Sequence, residues 1–274
     1  MWLWAIAALL VVAFWVALVL LVRHRRHRRR TLDALATEHS KSVDQHPVAI
    51  VATADRDSLA GAFAREFIIR IDGFVSPDCL QSLRMEAEGN VDRMIPSFIP
   101  THKKGRTLSY EMIHRHAPRC LSFYHSPRVH EWVSHIVGMS VFPTPVGDQS
   151  SLSVLCYKEQ GDHINWHYDH NFYRGRHFTV LLSLANEANG GGLSQSNLMR
   201  KLPGGQEQTF ETSANTLVVF EGARVLHRAS PTADGDLRIM LSMTFCADPR
   251  TNGFKEFARR VKDTAFYGIR ALWD

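Results

Sequence analysis

The hydrophobic and polar positions divide the chain into one long apolar run at the N-terminus and many short apolar segments after residue 60. Residues 2–22 form a run of 21 positions without a charged side chain. As a helix this run would span about 32 Å, which matches a hydrocarbon core about 30 Å thick. Arginines follow the run where a signal peptide would need a cleavage site, so residues 1–22 are predicted to be a retained transmembrane helix.

The apolar segments after residue 60 are typical of short strands. They are separated by glycine-rich turns, as in sandwiches and jelly rolls. The sequence Ser76-Pro77-Asp78 predicts a helix start, with Ser as the N-cap, Pro in the first turn and an end near Glu88. The predicted strands are Phe67–Ile71, Ser151–Tyr157, Phe178–Ala185, Thr216–Phe220 and Leu237–Phe245, and a last helix is predicted over Gly253–Leu272.

This pattern divides the chain into three predicted parts. They are a transmembrane anchor over residues 1–22, a basic juxtamembrane segment and linker over 23–60, and one domain over 61–274. The domain is predicted to be mainly β with flanking helices. Because positively charged flanks stay on the cytoplasmic side, we expect a single-pass protein of the plasma or inner membrane with its domain in the cytoplasm.

The net positive charge of the chain comes from one short segment and does not indicate a nucleic-acid-binding domain. Of the 32 basic residues, six are arginines between positions 23 and 30, where there is no acidic residue, so the rest of the chain carries 26 basic and 27 acidic groups. A nearly neutral domain is not typical of a nucleic-acid-binding protein, and no nucleic-acid partner is expected. The four cysteines lie at least 36 positions apart, which argues against a thiolate zinc site.

Candidate chemistry first appears at His167-Tyr168-Asp169. On a strand, residues two apart project to the same face, so the imidazole and the carboxylate would lie side by side. One further histidine, His227, would complete the two-His, one-carboxylate set that non-haem Fe(II) oxygenases use. Arg238, at the start of a predicted strand, can bind a carboxylate through two hydrogen bonds.

The order of these features resembles that of the Fe(II)/2-oxoglutarate dioxygenases, specifically the prolyl-4-hydroxylase-like branch. The resemblance covers the chain from Phe67 to Phe245. It includes Tyr157 ten residues before His167, the Gly190–Gly192 turn and the run Leu217–Phe220 before His227. It implies a double-stranded β-helix, a jelly roll of the cupin type.

The resemblance also implies roles for particular residues. His167, Asp169 and His227 would bind Fe(II), while Arg238 would anchor the 2-oxoglutarate cosubstrate with help from the hydroxyls of Tyr157 and Ser242. The cofactors implied are Fe(II), 2-oxoglutarate and O2, with ascorbate as an additional reductant. The implied function is a membrane-anchored dioxygenase that hydroxylates its substrate and releases succinate and CO2. Related halogenases lack the carboxylate and hold chloride in its place, so Asp169 favours hydroxylation.

The substrate and two other functions stay open. Ile164 and Leu193-Ser194 depart from the pattern of the family, and nothing in the chain specifies proline. The predicted anchor suggests a lipid-linked substrate or a membrane-proximal protein. Segment 90–110 is expected to be a loop that contacts the substrate. The alternatives are an oxidative demethylase on the same fold and a catalytically silent, membrane-tethered binding module.

Overall fold

The N-terminal part of the chain folds into one long helix. The computed structural model describes residues 2–267, and helix α1 runs without a break over Trp2–Gln45. Its C-terminal part packs on the rest of the protein: His39 is buried, and the hydroxyls of Ser42 and Ser122 lie 2.8 Å apart. The arginines between positions 23 and 30 are therefore part of a helix, and so is much of the segment that was predicted to be a linker.

The predicted membrane anchor requires correction. Within residues 2–267, no helix combines the length and the apolar character that crossing a membrane requires. The transmembrane helix was predicted to end at Val22, where the apolar run stops, whereas helix α1 continues through charged residues to Gln45. The predicted transmembrane helix over 1–22 and the single-pass membrane localisation are therefore wrong, and a membrane partner is not supported. The boundary at residue 61 stays a prediction.

Shorter helices and strands make up the rest of the described chain, with most helices before residue 138 and most strands after it. The helices are α2 Arg56–Glu66, α3 Pro77–Gly89, α4 Tyr110–His116, α5 Pro118–His125, α6 Pro127–Val137 and α7 Gly253–Tyr267, with a 3₁₀ turn at Val91–Arg93. The strands are β1 Ile68–Ile71, β2 Ile95–Pro96, β3 Lys103–Lys104, β4 Arg106–Leu108, β5 Phe142–Pro143, β6 Leu152–Tyr157, β7 His163–His167, β8 His177–Glu187, β9 Leu198–Lys201, β10 Glu207–Phe210, β11 Leu217–Phe220, β12 His227–Ala229 and β13 Leu237–Cys246.

Two antiparallel sheets form the double-stranded β-helix. The larger sheet has the order β1-β11-β8-β13-β6-β4-β2, with β5 paired to β13, and the smaller has the order β10-β9-β12-β7-β3. Strands β8 and β13 pair along most of their length at the centre of the larger sheet. Helices α3 and α4 contact this sheet, and the main hydrophobic core lies between them and its strands. The opposite face of the sheet is turned toward the smaller sheet.

Local sequence determines most of these elements. Ser76 caps α3 by accepting a hydrogen bond from the backbone NH of Cys79, as predicted. The predicted strands are confirmed to within two residues at either end. Phe67, the predicted first residue of β1, is instead the left-handed C-cap of α2, with φ 57°. The last predicted helix is confirmed as α7 up to Tyr267, and its remaining residues to Leu272 lie outside the described residues.

Candidate active site

The fold brings His167, Asp169 and His227 together between the two sheets. His167 ends β7 and His227 begins β12, and the two residues are direct partners across these antiparallel strands. Oδ1 of Asp169 lies 3.5 Å from Nε2 of His167 and 3.7 Å from Nε2 of His227. Among the described residues, these three are the His, Cys, Asp and Glu cluster with the spacing of a metal site. We call them the triad.

Hydrogen bonds fix which nitrogen of each imidazole faces the centre of the triad. Nδ1 of His167 lies 2.8 Å from the carbonyl oxygen of Asn165, and Nδ1 of His227 lies 2.9 Å from that of Val225. A carbonyl only accepts, so each Nδ1 donates its proton and each Nε2 is the nitrogen left to ligate a metal once it is deprotonated. The donor set therefore fits a divalent metal: two imidazole nitrogens with oriented rings and one carboxylate.

The electrostatics of the triad depend on the carboxylate. Burial alone would raise the pKa of Asp169, but interaction with the protonated form of His227 and contact with His167 hold it well below its usual value. Burial alone would lower the pKa of His167, but the neighbouring Asp169 raises the pKa of this imidazole above its usual value. His227 is only 5% exposed, and burial lowers its pKa. Asp169 is thus ionised and His227 neutral at pH 7.

Two residues outside the triad hold the Asp169 carboxylate in place. Thr179 Oγ1 donates a 2.6 Å hydrogen bond to Oδ2, and the backbone NH of Asp169 donates to the carbonyl of Gly222 at 3.0 Å. A β-carbon at Gly222 would lie 2.5 Å from both Cβ and Cγ of Asp169, which is too close for any side chain. Sequence analysis missed Gly222, because no turn motif marks it and only the fold brings it to Asp169.

A cavity of about 110 Å³ lies on one side of the triad and contains the predicted cosubstrate residues. We call it the Arg238 cavity. Arg238 and Tyr157 are partners across β13 and β6, and both are almost fully buried. Nε of Arg238 and the hydroxyl of Tyr157 have no hydrogen-bond partner among the described residues. A buried guanidinium with unsatisfied donors fits an incoming carboxylate, so these residues suit the distal end of 2-oxoglutarate.

Ser242 also lines this cavity, four residues after Arg238 on the same face of β13. The structure thus brings all six predicted site residues to one place. Apolar side chains complete the wall around the guanidinium: Leu155, Leu181, Leu198, Phe220 and Met240. Burial lowers the pKa of Arg238, and the nearby Tyr157 offsets part of this effect.

A second cavity, of about 320 Å³, meets the first at the triad. We call it the Lys103 cavity. Its size lies in the range of small-molecule sites. His102 and Lys103 belong to the 90–110 segment, which is built from short strands here and does contribute to this wall. Asp148, His177 and Lys262 also line it, and sequence analysis missed all three because they lie far apart in the chain.

Comparison with known proteins agrees with this geometry. Residues 51–266 match the Halogenase D family, which is more than half of the chain. No curated protein matches by sequence. Among solved structures, AviO1 from Streptomyces viridochromogenes Tue57 is similar with a TM-score of 0.58 and 16% identity over 74% of this chain and 100% of that one. A Pseudomonas putida prolyl-4-hydroxylase has a TM-score of 0.55 and 16% identity over 71% of this chain and 99% of that one.

A third similar structure contains the relevant ligands. The epimerase SnoN, solved with Fe3+, alpha ketoglutarate and nogalamycin RO, has a TM-score of 0.58 and 12% identity over 70% of this chain and 83% of that one. At such low identity these structures show a shared fold. The predicted resemblance to the Fe(II)/2-oxoglutarate oxygenases is therefore confirmed at the level of the fold. The chain belongs to the Halogenase D family.

Proposed function

We propose that this protein is an Fe(II)- and 2-oxoglutarate-dependent dioxygenase that hydroxylates a small substrate held in the Lys103 cavity, with release of succinate and CO2. The observation that carries the proposal is the arrangement of the triad, in which one carboxylate oxygen faces two imidazole Nε2 atoms. Bound iron and 2-oxoglutarate would supply the oxidation of a C–H bond.

The residues of the chain hold and orient these groups. His167, Asp169 and His227 would hold the metal through one atom each, and the fixed Nδ1 protons keep both rings in place. Arg238 would bind the distal carboxylate of the cosubstrate, with the hydroxyls of Tyr157 and Ser242 as neutral hydrogen-bonding partners. The two cavities meet at the triad, so a substrate in one lies next to a cosubstrate in the other.

Halogenation is the second candidate, because the family is described as Halogenase D. It requires an open position for a halide on the metal. The Asp169 carboxylate stands in the triad and is fixed by Thr179 and Gly222, so it occupies the position that a halide would need. The structure of this chain therefore favours hydroxylation.

The test is an anaerobic calorimetric titration of the full chain with Fe(II) and then with 2-oxoglutarate, followed by measurement of succinate after O2 is admitted. We expect 2-oxoglutarate binding to require iron in the wild type and to be lost in Arg238→Met. We expect Asp169→Ala to lose both iron binding and succinate formation. If the wild-type protein binds neither iron nor 2-oxoglutarate, a silent binding module is the better account.

Chloride distinguishes the two oxidative outcomes. We expect chloride to change neither the affinity for iron nor the rate of succinate formation, because Asp169 fills the halide position. A chloride-dependent rate or a chlorinated product would support halogenation instead. Release of formaldehyde would indicate an oxidative demethylase.

A further inference from the structure

The two lysines of strand β3 point in different directions, and only one of them enters a cavity. Lys103 pairs with Ile164 and Lys104 with His163 in β7, so the alternation of a strand sends their side chains to opposite faces. Lys103 is 7% exposed and lines the Lys103 cavity. Lys104 is half-exposed and donates to the carbonyl of Gln160 at 2.8 Å.

A second ammonium faces the same cavity from helix α7. Nζ of Lys262 lies 3.9 Å from Oδ1 of Asp148 and 3.6 Å from Oδ1 of Asp263. The two ammonium groups are close enough to repel each other. Burial lowers the pKa of Lys103 to about 8, and the charge of Lys262 contributes to this shift. Helix α7 and strand β3 thus direct two like charges toward one small space.

The carboxylate in this wall is already engaged. Oδ2 of Asp148 accepts a 2.6 Å hydrogen bond from the Tyr173 hydroxyl, and Oδ1 accepts from the backbone NH of Ser150 at 3.0 Å. Burial would raise the pKa of Asp148, but Lys262 and Arg259 hold it below its usual value, so the group is ionised and stays paired. A carboxylate committed to these donors is less suited to receive a cationic ligand.

The same wall offers a further buried polar group. His177 is 7% exposed, and its Nδ1 has no hydrogen-bond partner among the described residues. Burial lowers the pKa of this imidazole, so it is neutral and keeps one N–H donor. Ser153, Ser242 and Thr244 add hydroxyls to the floor of the cavity.

We propose that Lys103 and Lys262 bind an anionic oxygen group, a carboxylate or a phosphate, of the molecule that enters the Lys103 cavity. Under the proposed function, on which this inference rests, that molecule is the substrate. Ammonium groups in a partly desolvated cavity form hydrogen bonds to anionic oxygens that are stronger than those between neutral groups. The anion would thus orient the rest of the substrate toward the triad.

The test uses the full chain loaded with Mn(II) as a redox-inert metal and with saturating 2-oxoglutarate. Calorimetric titrations with hexanoate and glycerol 3-phosphate are compared with the neutral analogues hexanamide and glycerol. We expect at least one anion to bind and its neutral analogue not to bind. Lys103→Met should weaken anion binding about tenfold or more. Lys104→Met, the neighbouring lysine outside the cavity, should leave it unchanged.

Lys262→Met provides a second, independent variant, and it should also weaken anion binding while Arg259 still neutralises Asp263. The proposal is overturned if neither anion binds, if neutral analogues bind equally well, or if the Lys103 and Lys104 variants behave alike. Failure of the proposed function is recognised separately. In that case 2-oxoglutarate itself does not bind to the metal-loaded protein, whereas 2-oxoglutarate binding that depends on Arg238 and survives in Lys103→Met leaves the proposed function intact.

Discussion

The backbone of Gly222 lies directly against the side chain of Asp169. It accepts a hydrogen bond from the Asp169 NH at 3.0 Å, and a β-carbon on Gly222 would lie 2.5 Å from Cγ of that residue. The segments that follow β11 and β7 therefore meet with no room for a side chain. This close contact sets the position of the carboxylate relative to the two imidazoles.

Gly222→Ala should consequently displace Asp169 and weaken metal binding. We expect the affinity for Mn(II) or Fe(II) to fall about 10–100-fold, the range typical of residues that orient metal ligands. Gly89→Ala is the matched control, because a β-carbon there meets nothing within 4 Å. Calorimetric titration of both variants checks this. Unchanged affinity in Gly222→Ala would mean that Asp169 is not held by this contact.

Arg238→Met should separate stability from cosubstrate binding. Arg238 is 2% exposed and has no ion pair among the described residues, so its charge is buried at a cost. We expect the variant to lose 2-oxoglutarate binding. Without ligand, its free energy of unfolding should nevertheless be higher than that of the wild type by about 2 kcal/mol, and its melting temperature should rise accordingly.

Thermal unfolding with and without 2-oxoglutarate measures both effects. Tyr157→Phe and Ser242→Ala should weaken 2-oxoglutarate binding less than Arg238→Met, because they remove neutral hydrogen bonds only. A lower melting temperature in ligand-free Arg238→Met would show that the guanidinium stabilises the apo fold.

Metal binding should release one proton, and His167 is its source. The pKa of His167 is raised above its usual 6.5, so metal must displace a proton from this imidazole below and around that pH. Asp169 is ionised, and burial lowers the pKa of His227, so both contribute less than His167. Metal affinity should rise with pH through the pKa of His167 and then level off.

Calorimetry of metal binding in two buffers of different ionisation enthalpy, at about pH 6, gives the number of protons released. We expect about one in the wild type. Thr179→Val keeps the shape of Thr179 but removes the hydrogen bond to Asp169, and it should lower the metal affinity without changing that number. Release of no proton would contradict the raised pKa of His167.

The site was easier to predict than the ends of the chain. His167, His227 and Arg238 lie on strands β7, β12 and β13, and Asp169 follows β7 by two residues, so recognising these strands together with the family resemblance was enough to single the four residues out. Gly222, Asp148 and Lys262 carry no local signal, because only the fold brings Gly222 to Asp169 and the other two to the wall of the Lys103 cavity. At the N-terminus, the apolar run of 2–22 dominated the interpretation, although the helix continues to Gln45 and packs on α5.

We expect His39 to make the contact between α1 and the rest of the protein sensitive to acid. It is 3% exposed, stacks on His125 with ring centroids 4.2 Å apart, and lies 5.3 Å from the ring of His114. Neither of its ring nitrogens has a hydrogen-bond partner among the described residues. Burial lowers the pKa of His39 to about 4, and the charge of His114 adds to the shift.

Because the pKa of His39 is lower in the folded than in the unfolded chain, protonation of this residue favours unfolding. The contribution of His39 to stability is therefore complete above about pH 6.5 and is lost as the pH drops toward 4. His39→Leu should raise the free energy of unfolding at pH 7 by about 1 kcal/mol, because it removes two unsatisfied nitrogens. It should also reduce the loss of stability between pH 7 and about pH 5 by about 2 kcal/mol. Urea unfolding at the two pH values measures both quantities, with the exposed His116→Leu as the matched control. An equal pH dependence in wild type and His39→Leu would show that His39 does not couple the docking of α1 to protonation.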